Sequence, residues 1–319
     1  MSRLAATVGL QFVHLLLVFA IAPAITGLVR KVKARLLSRR GPPVLQPYRD
    51  LAKLMRKETL MAENASWLYR GAPAVILALI WLAAGLIPSF TIDLPLARAA
   101  DLLVIIGLLA AMRFVQALAA LDVGTSFGGL GASREMMFAS LAEPATLMVV
   151  YTMSVFVHST SLPAMAAFVL ESEVGLRVSF ALALLALVMV AIAENARIPI
   201  DNPATHLELT MVHEAMVLEY SGPQLALMET AAMLKLVVYL SLIAAIFAPW
   251  GLAPPAADAG ALAIGLATYA GKLVFGAVAL GVFEVSIAKM RVFRVAEFLG
   301  GALLLGLLGT IFLYVSQSL

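Results

Sequence analysis

The sequence predicts an all-α fold: a polytopic integral membrane protein of eight transmembrane helices, forming a single membrane domain over residues 1–319. It also predicts a basic amphipathic inner loop and a long acidic inner loop. Three observations carry this. Hydrophobic residues make up 62% of the chain and charged residues 13%, with a mean hydropathy of +0.99, outside the soluble globular range. Apolar runs of about 20 residues, the length that crosses the hydrocarbon core, recur from end to end. Of the 22 Lys and Arg residues, 16 fall in segments assigned to one side and three in segments assigned to the other. By the positive-inside rule the basic loops are expected to be cytoplasmic and both termini outside.

The first span is expected over 5–29. The chain stays membrane-like after it, so it reads as a retained helix rather than a cleaved signal. Residues 30–70 form the basic inner loop, with 11 Lys/Arg against three acids. A helical extension over Arg30–Arg40 is followed by the Gly41-Pro42-Pro43 break. A second helix is expected from Tyr48 to Met61, with Leu51, Leu54 and Met55 at helical spacing. It reads as an interfacial amphipathic helix, serving either as a lipid-headgroup anchor or as a docking surface for a soluble partner.

Spans two and three are expected over 71–92 and 100–121. The Gly-rich stretch 122–133 is read as an inner turn. Its Gly-Gly-Leu-Gly piece lacks the strand and the Lys-Ser/Thr of a phosphate loop, so no nucleotide site is expected. Span four covers 134–158, an outer loop carries Glu171 and Glu173, and span five covers 177–194. Spans six, seven and eight follow over 224–248, 261–287 and 297–316, with an inner loop at 289–296. No internal repeat is visible, which argues against a secondary transporter. With no cysteine, the chain itself offers no disulfide, Cys-ligated iron–sulfur cluster or thiolate zinc site.

Glu143, Glu229, Glu284, Arg113, Lys235 and Lys272 fall within predicted spans. An unpartnered charge at a helix centre costs roughly 2.5–3.5 kcal/mol on insertion scales. Two readings follow. One is a set of static ion pairs, such as Glu229 with Arg113. The other is a chain of ionisable groups carrying protons. Glu143 precedes Pro144, which lacks an N–H and crowds the carbonyl of Ser140. Glu284 sits near an inner end and is expected to snorkel or to pair with Lys289 or Arg291.

The acidic loop 194–222 holds Glu194, Asp201, Glu208, Glu214 and Glu219, with Arg197, His206 and His213. Pro199 and Pro203 force extended or turn backbone before them, after which Thr205–Leu218 is free to be helical. His206 and His213 share a face, but seven residues is not the i,i+4 spacing of a helical zinc pair. No metal is expected on this chain; proton relay or a hydrogen-bonded interface suits residues that titrate near neutrality.

Three stretches resemble the complex I subunit 1 family: Ser38–Leu54, Gly131–Ala145 and the whole of Glu194–Gly222. Within it they look most like the membrane subunits of formate hydrogenlyase and hydrogenase-4, of the energy-converting group 4 nickel–iron hydrogenases. The resemblance spans the chain, and the long-loop motif is its most specific part. It implies a membrane anchor without a catalytic centre of its own. The implied partners are soluble hydrogenase large and small subunits, an iron–sulfur protein and antiporter-like membrane subunits, in a bacterial or archaeal cytoplasmic membrane; no nucleic acid is involved. The nickel–iron centre and iron–sulfur clusters would belong to those partners. Arg39, Arg40, Gly41, Pro42 and Gln46 match the family's first-loop motif and would face the soluble arm; Asp50, Arg197, Asp201, His206, His213, Glu214 and Glu219 are expected at the same interface. Glu143, Glu194, Glu208 and Glu229, with Arg113, Lys235 and Glu284, would form the polar path. After Pro203 this chain has Ala204-Thr205-His206 where the quinone-reducing branch has a denser run of glutamates, and it adds His213-Glu214. These departures favour the hydrogenase branch. The alternatives are a quinone-site subunit of a complex I-like NADH dehydrogenase, a free-standing ion transporter, and a passive anchor.

Overall fold

Four of the long helices begin where a side chain takes over an unpaired backbone N–H. In the computed structural model, which describes residues 2–171, 178–197, 211–255, 257–288 and 294–318, helix α1 spans Ser2–Leu36 and α2 spans Gln46–Met55. Helix α3 is Trp67–Leu86, capped by the Ser66 hydroxyl on the Leu68 amide, and α4 is Leu102–Asp122, capped by Asp101 on Leu103. Helix α5 is Ser126–Val157, capped by Thr125 on Gly128, and α6 is Leu162–Glu171. Helix α7 is Val178–Glu194, α8 is His213–Val217 and α9 is Gly222–Phe247. Helix α10 is Ala259–Ser286, capped by Asp258 on Ala261, and α11 is Val295–Ser318. Such caps satisfy amides that the helix itself cannot.

Seven of these helices are long and apolar enough to cross a membrane, and α7, with 17 residues, is the shorter eighth. The eight expected spans therefore all have a counterpart. No strand occurs among the described residues, only two isolated bridges.

Helix α9 is the pillar of the bundle, with 78% of its span buried. Helix α3 packs between α4 and α9, α11 against α5 and α7, and α1 against α10 and α9. The core runs through Tyr69, Ile76, Ile105, Met153, Leu187, Val237 and Leu273.

Three local expectations are corrected. The Gly-rich stretch 122–133 is not a loop: only Val123–Thr125 separate α4 from α5. Its glycines are there for close approach. A Cβ on Gly128 would lie 2.3 Å from the Ala120 carbonyl oxygen, and one on Gly131 would lie 2.9 Å from both Met216 Cγ and the Val212 oxygen. The amphipathic helix runs Gln46–Met55 rather than Tyr48–Met61, starting early because Pro47 is pre-set for a first turn. The outer loop after span four contains the helix α6, whose ten residues are too few to be read as a span.

The connections gather at two ends. At one end Ser66 N–H bonds Asp122, Asn64 bonds the Val123 carbonyl, and the Ser221 hydroxyl bonds both backbone groups of Leu60. At the other, Ala253 N–H bonds the Phe90 carbonyl and Leu102 N–H bonds that of Thr160. The basic segment and the ends of the acidic loop thus share one end of the bundle.

Candidate functional site

Four of the charges singled out in the sequence meet in the interior. Arg113, from the middle of α4, turns toward α5 and α7. Its Nη2 lies 2.7 Å from Oε1 of Glu143, and its Nη1 bonds Oε1 of Glu194. From α9, Lys235 Nζ comes to 3.0 Å from Oε2 of Glu194, an ion-pair distance without hydrogen-bond alignment. Glu194 is thus clamped between two cations at the last residue of α7. The side chains of Arg113, Glu194 and Lys235 are 5%, 4% and 4% exposed, whereas that of Glu143 is 42% exposed. With all four ionised the cluster is neutral, which is how such charges are tolerated away from water. The Arg113 Nε is buried with no hydrogen-bond partner.

The pairing of Arg113 with Glu229, offered as an example of a static ion pair, is not what the structure shows. Glu229 lies on α9, about a turn and a half before Lys235, and lines a different space. This is a cavity of about 140 Å³ whose polar walls are Gln116, His213, Glu214, Glu229 and Lys235. A space of that size with several polar walls holds water readily. It lies between the short helix α8 and the cluster, with Lys235 on its boundary.

His213 connects the same cavity to α5. Its Nδ1 is 3.4 Å from Oε2 of Glu135, which is 4% exposed, and its Nε2 is buried without a hydrogen-bond partner. Glu135 reads in the sequence as a residue at the start of a span and is not among the predicted path residues. Because α5 begins at Ser126, Glu135 sits more than two turns inside it. The neighbouring Arg134 Nη1 donates to the Met211 carbonyl at 3.0 Å, so α5 holds the returning acidic loop by side chain as well as by packing. Gln116 is likewise a buried wall residue, and nothing in the sequence singles it out.

Glu284 belongs to neither group. Its carboxylate, 1% exposed, lies 2.6 Å from Lys33 Nζ and 3.6 Å from Arg197 Nη1. It ties α1, the start of the acidic loop and α10 together. Burial lowers the Arg197 guanidinium below its ordinary range; Glu284 opposes that shift and Arg30 adds to it. The expected partners Lys289 and Arg291 lie outside the described residues, as do Asp201, His206 and Glu208.

The remaining interface residues lie around the same end. Arg39, Arg40, Gly41 and Pro42 are exposed, and Gln46 donates to Asp50 at 2.9 Å. Gly41 has φ +64° and a Cβ there would meet Ala34 Cβ at 2.4 Å, so the turn after α1 requires glycine. Glu219 is exposed beside Tyr220, whose ring stacks on Tyr69 at 4.1 Å and whose hydroxyl donates to the Tyr69 carbonyl.

Comparison with known proteins gives a consistent picture. Residues 9–315 match the family model described as NADH dehydrogenase. The chain is 33% identical over 279 residues to formate hydrogenlyase subunit 4 of Escherichia coli K12, covering 88% of this chain and 90% of that one. It is 35% identical over 231 residues to hydrogenase-4 component C of the same organism, covering 72% of each. An NADH-quinone oxidoreductase subunit of Syntrophotalea carbinolica is 29% identical over 237 residues, 68% of this chain and 69% of the relative. Among solved structures, a chain of the membrane-bound sulfane sulfur reductase, an archaeal respiratory membrane complex, superposes with TM-score 0.78. It shares 19% identity over 94% of this chain and 98% of its own, and so has the same fold.

Proposed function

The chain belongs to the NADH dehydrogenase family of complex I subunit 1-like membrane proteins, and from that membership we propose that it is the membrane subunit of an energy-converting nickel–iron hydrogenase complex. In this reading it anchors the soluble hydrogenase large and small subunits and their iron–sulfur protein at the end bearing the basic segment. That end lies in the cytoplasm of a bacterial or archaeal cell. Antiporter-like membrane subunits dock against the bundle, and the nickel–iron centre and iron–sulfur clusters are the soluble arm's, none being held by this chain.

The observation that carries the coupling role is the continuity of ionisable groups. Glu135 and His213 lie under the loop end, the cavity follows with Glu214, Glu229 and Lys235, and the ion pairs of Lys235, Glu194, Arg113 and Glu143 reach the bundle surface. Because the four-charge cluster is balanced, a proton added to Glu194 leaves two buried cations facing one carboxylate. The imbalance is relieved by releasing a proton from Lys235, Arg113 keeping Glu143 as its partner. Charge movement in the soluble arm, acting on His213 and Glu214 across the wet cavity, biases that release. No chemistry on hydrogen is required of these residues; they hold and move a proton.

Glu143→Gln and Glu229→Gln test the reading. Each is expected to leave hydrogenase activity with an artificial electron carrier at the wild-type level. Activity linked to the membrane potential is expected to fall at least tenfold. Coupled activity unchanged in both variants would dismiss the path. Transport by the isolated chain in proteoliposomes would favour a free-standing transporter instead.

A further inference from the structure

Away from the charge cluster, the bundle carries a groove of about 830 Å³ between α7, α9 and α10. It arises because α10 stands apart: only 22% of its span is buried, against 78% for α9. Its walls are mainly aliphatic and aromatic, among them Val188, Leu240, Ile243, Phe275 and Leu280, with Asn195 and Arg197 at the end of α7, where Arg197 already faces Glu284. From Thr268 to Phe283 its wall on α10 runs ~22 Å at 1.5 Å per residue, longer than the ~15 Å of one leaflet's hydrocarbon. At the end near the α9–α10 connection two polar side chains meet it. Lys272 lines the groove one turn beyond Thr268, whose hydroxyl is bonded to the Gly251 carbonyl at 3.2 Å. Trp250 lies beside Gly251 at that mouth and is 61% exposed.

The geometry points to a phospholipid site: the acyl chains lie along the apolar walls and the phosphate is bound by Lys272, with the Trp250 indole N–H beside it. Among the described residues no carboxylate lies within ion-pair distance of Lys272. A cation at the head of an apolar slot within a membrane needs an anion that arrives with apolar mass attached, and a phospholipid supplies both in one molecule. Basic pockets between transmembrane helices bind lipid headgroups for this reason, and an exposed tryptophan at the mouth suits the headgroup level. A partner's apolar helix would fill the slot but leave the ammonium unmatched. Gly271 lines the groove, and a Cβ built there meets no atom within 4 Å. That position faces open space and accepts bulk at the expense of an occupant rather than of the chain's own packing. The site does not rest on the coupling role proposed above.

Native mass spectrometry of the detergent-purified complex, titrated with dioleoyl phosphatidylglycerol, tests the site. The wild type is expected to retain one phosphatidylglycerol per copy of this chain. Gly271→Phe should abolish that retention, and Lys272→Gln should weaken it about tenfold, the size of a lost charge-assisted hydrogen bond. Artificial-carrier activity should be unchanged in both. Equal retention by all three proteins would overturn the site. So would a photo-crosslinker at Phe275 that captures, in native membranes, a polypeptide of the complex rather than phospholipid.

Discussion

The carboxylate of Glu194 is where a single proton has most effect, because it faces Arg113 on one oxygen and Lys235 on the other. Removing its charge leaves Arg113 with Glu143 alone and Lys235 with no ion-pair partner among the described residues. Breaking a buried pair in this way costs about 3–5 kcal/mol. Glu194→Gln is therefore expected to lower the thermal midpoint of the purified complex well below that of Glu143→Gln, whose side chain is 42% exposed. Adding Lys235→Met to Glu194→Gln should recover part of the loss. Strict additivity of the two losses would show that the 3.0 Å contact carries no coupling energy. The sequence pointed to Arg113, Glu143 and Lys235 because charges inside apolar runs demand a reason, and to Glu194 as the acid that opens the long loop. It could not say which met which: hydropathy locates a residue along its helix but not the helices beside it, so the Arg113–Glu229 pair offered as an example is not the one formed. Glu135 escaped notice because a helix boundary placed at Arg134 makes it a first-turn acid, when the helix in fact starts at Ser126.

Among the elements, α8 shows how a five-residue helix is held in place. It carries His213 over the cavity, and it rests on the glycine face of α5. Gly131→Leu would drive a side chain into Met216 and the Val212 carbonyl, both of which lie 2.9 Å from the first added carbon. The expected result is displacement of α8, faster proteolysis across Met211–Tyr220 and loss of soluble subunits from washed membranes; Gly129→Leu, whose Cβ would meet nothing, serves as the control. Unchanged proteolysis in Gly131→Leu would mean that α8 is held by other contacts. Glycine runs are ambiguous in a sequence, since the missing side chain serves a turn and a tight helix crossing equally well. That ambiguity is why 122–133 read as a loop. The long spans were legible because twenty apolar residues have few other uses, whereas α6, with ten, carried no such signal.

Across the whole molecule, the end bearing the basic segment is held by contacts between parts distant in sequence. Lys33 and Arg197 both reach Glu284, and Ser221 is bonded to Leu60. Glu284→Gln is expected to destabilise the chain by about 1–3 kcal/mol and to speed tryptic cleavage near Lys31–Arg40. Lys33→Gln should do less, since its side chain is 30% exposed and its charge is screened. Equal cleavage rates in Glu284→Gln and wild type would show that the clamp does not hold this end. The clamp also orders events in time. During synthesis the first span and its basic extension are made long before α10, so Lys33 waits for a carboxylate encoded 251 residues later. Contacts of such separation form late. The early spans can be in the bilayer while the face proposed for the soluble arm is still unmade, and that face closes only when the seventh long segment has been delivered.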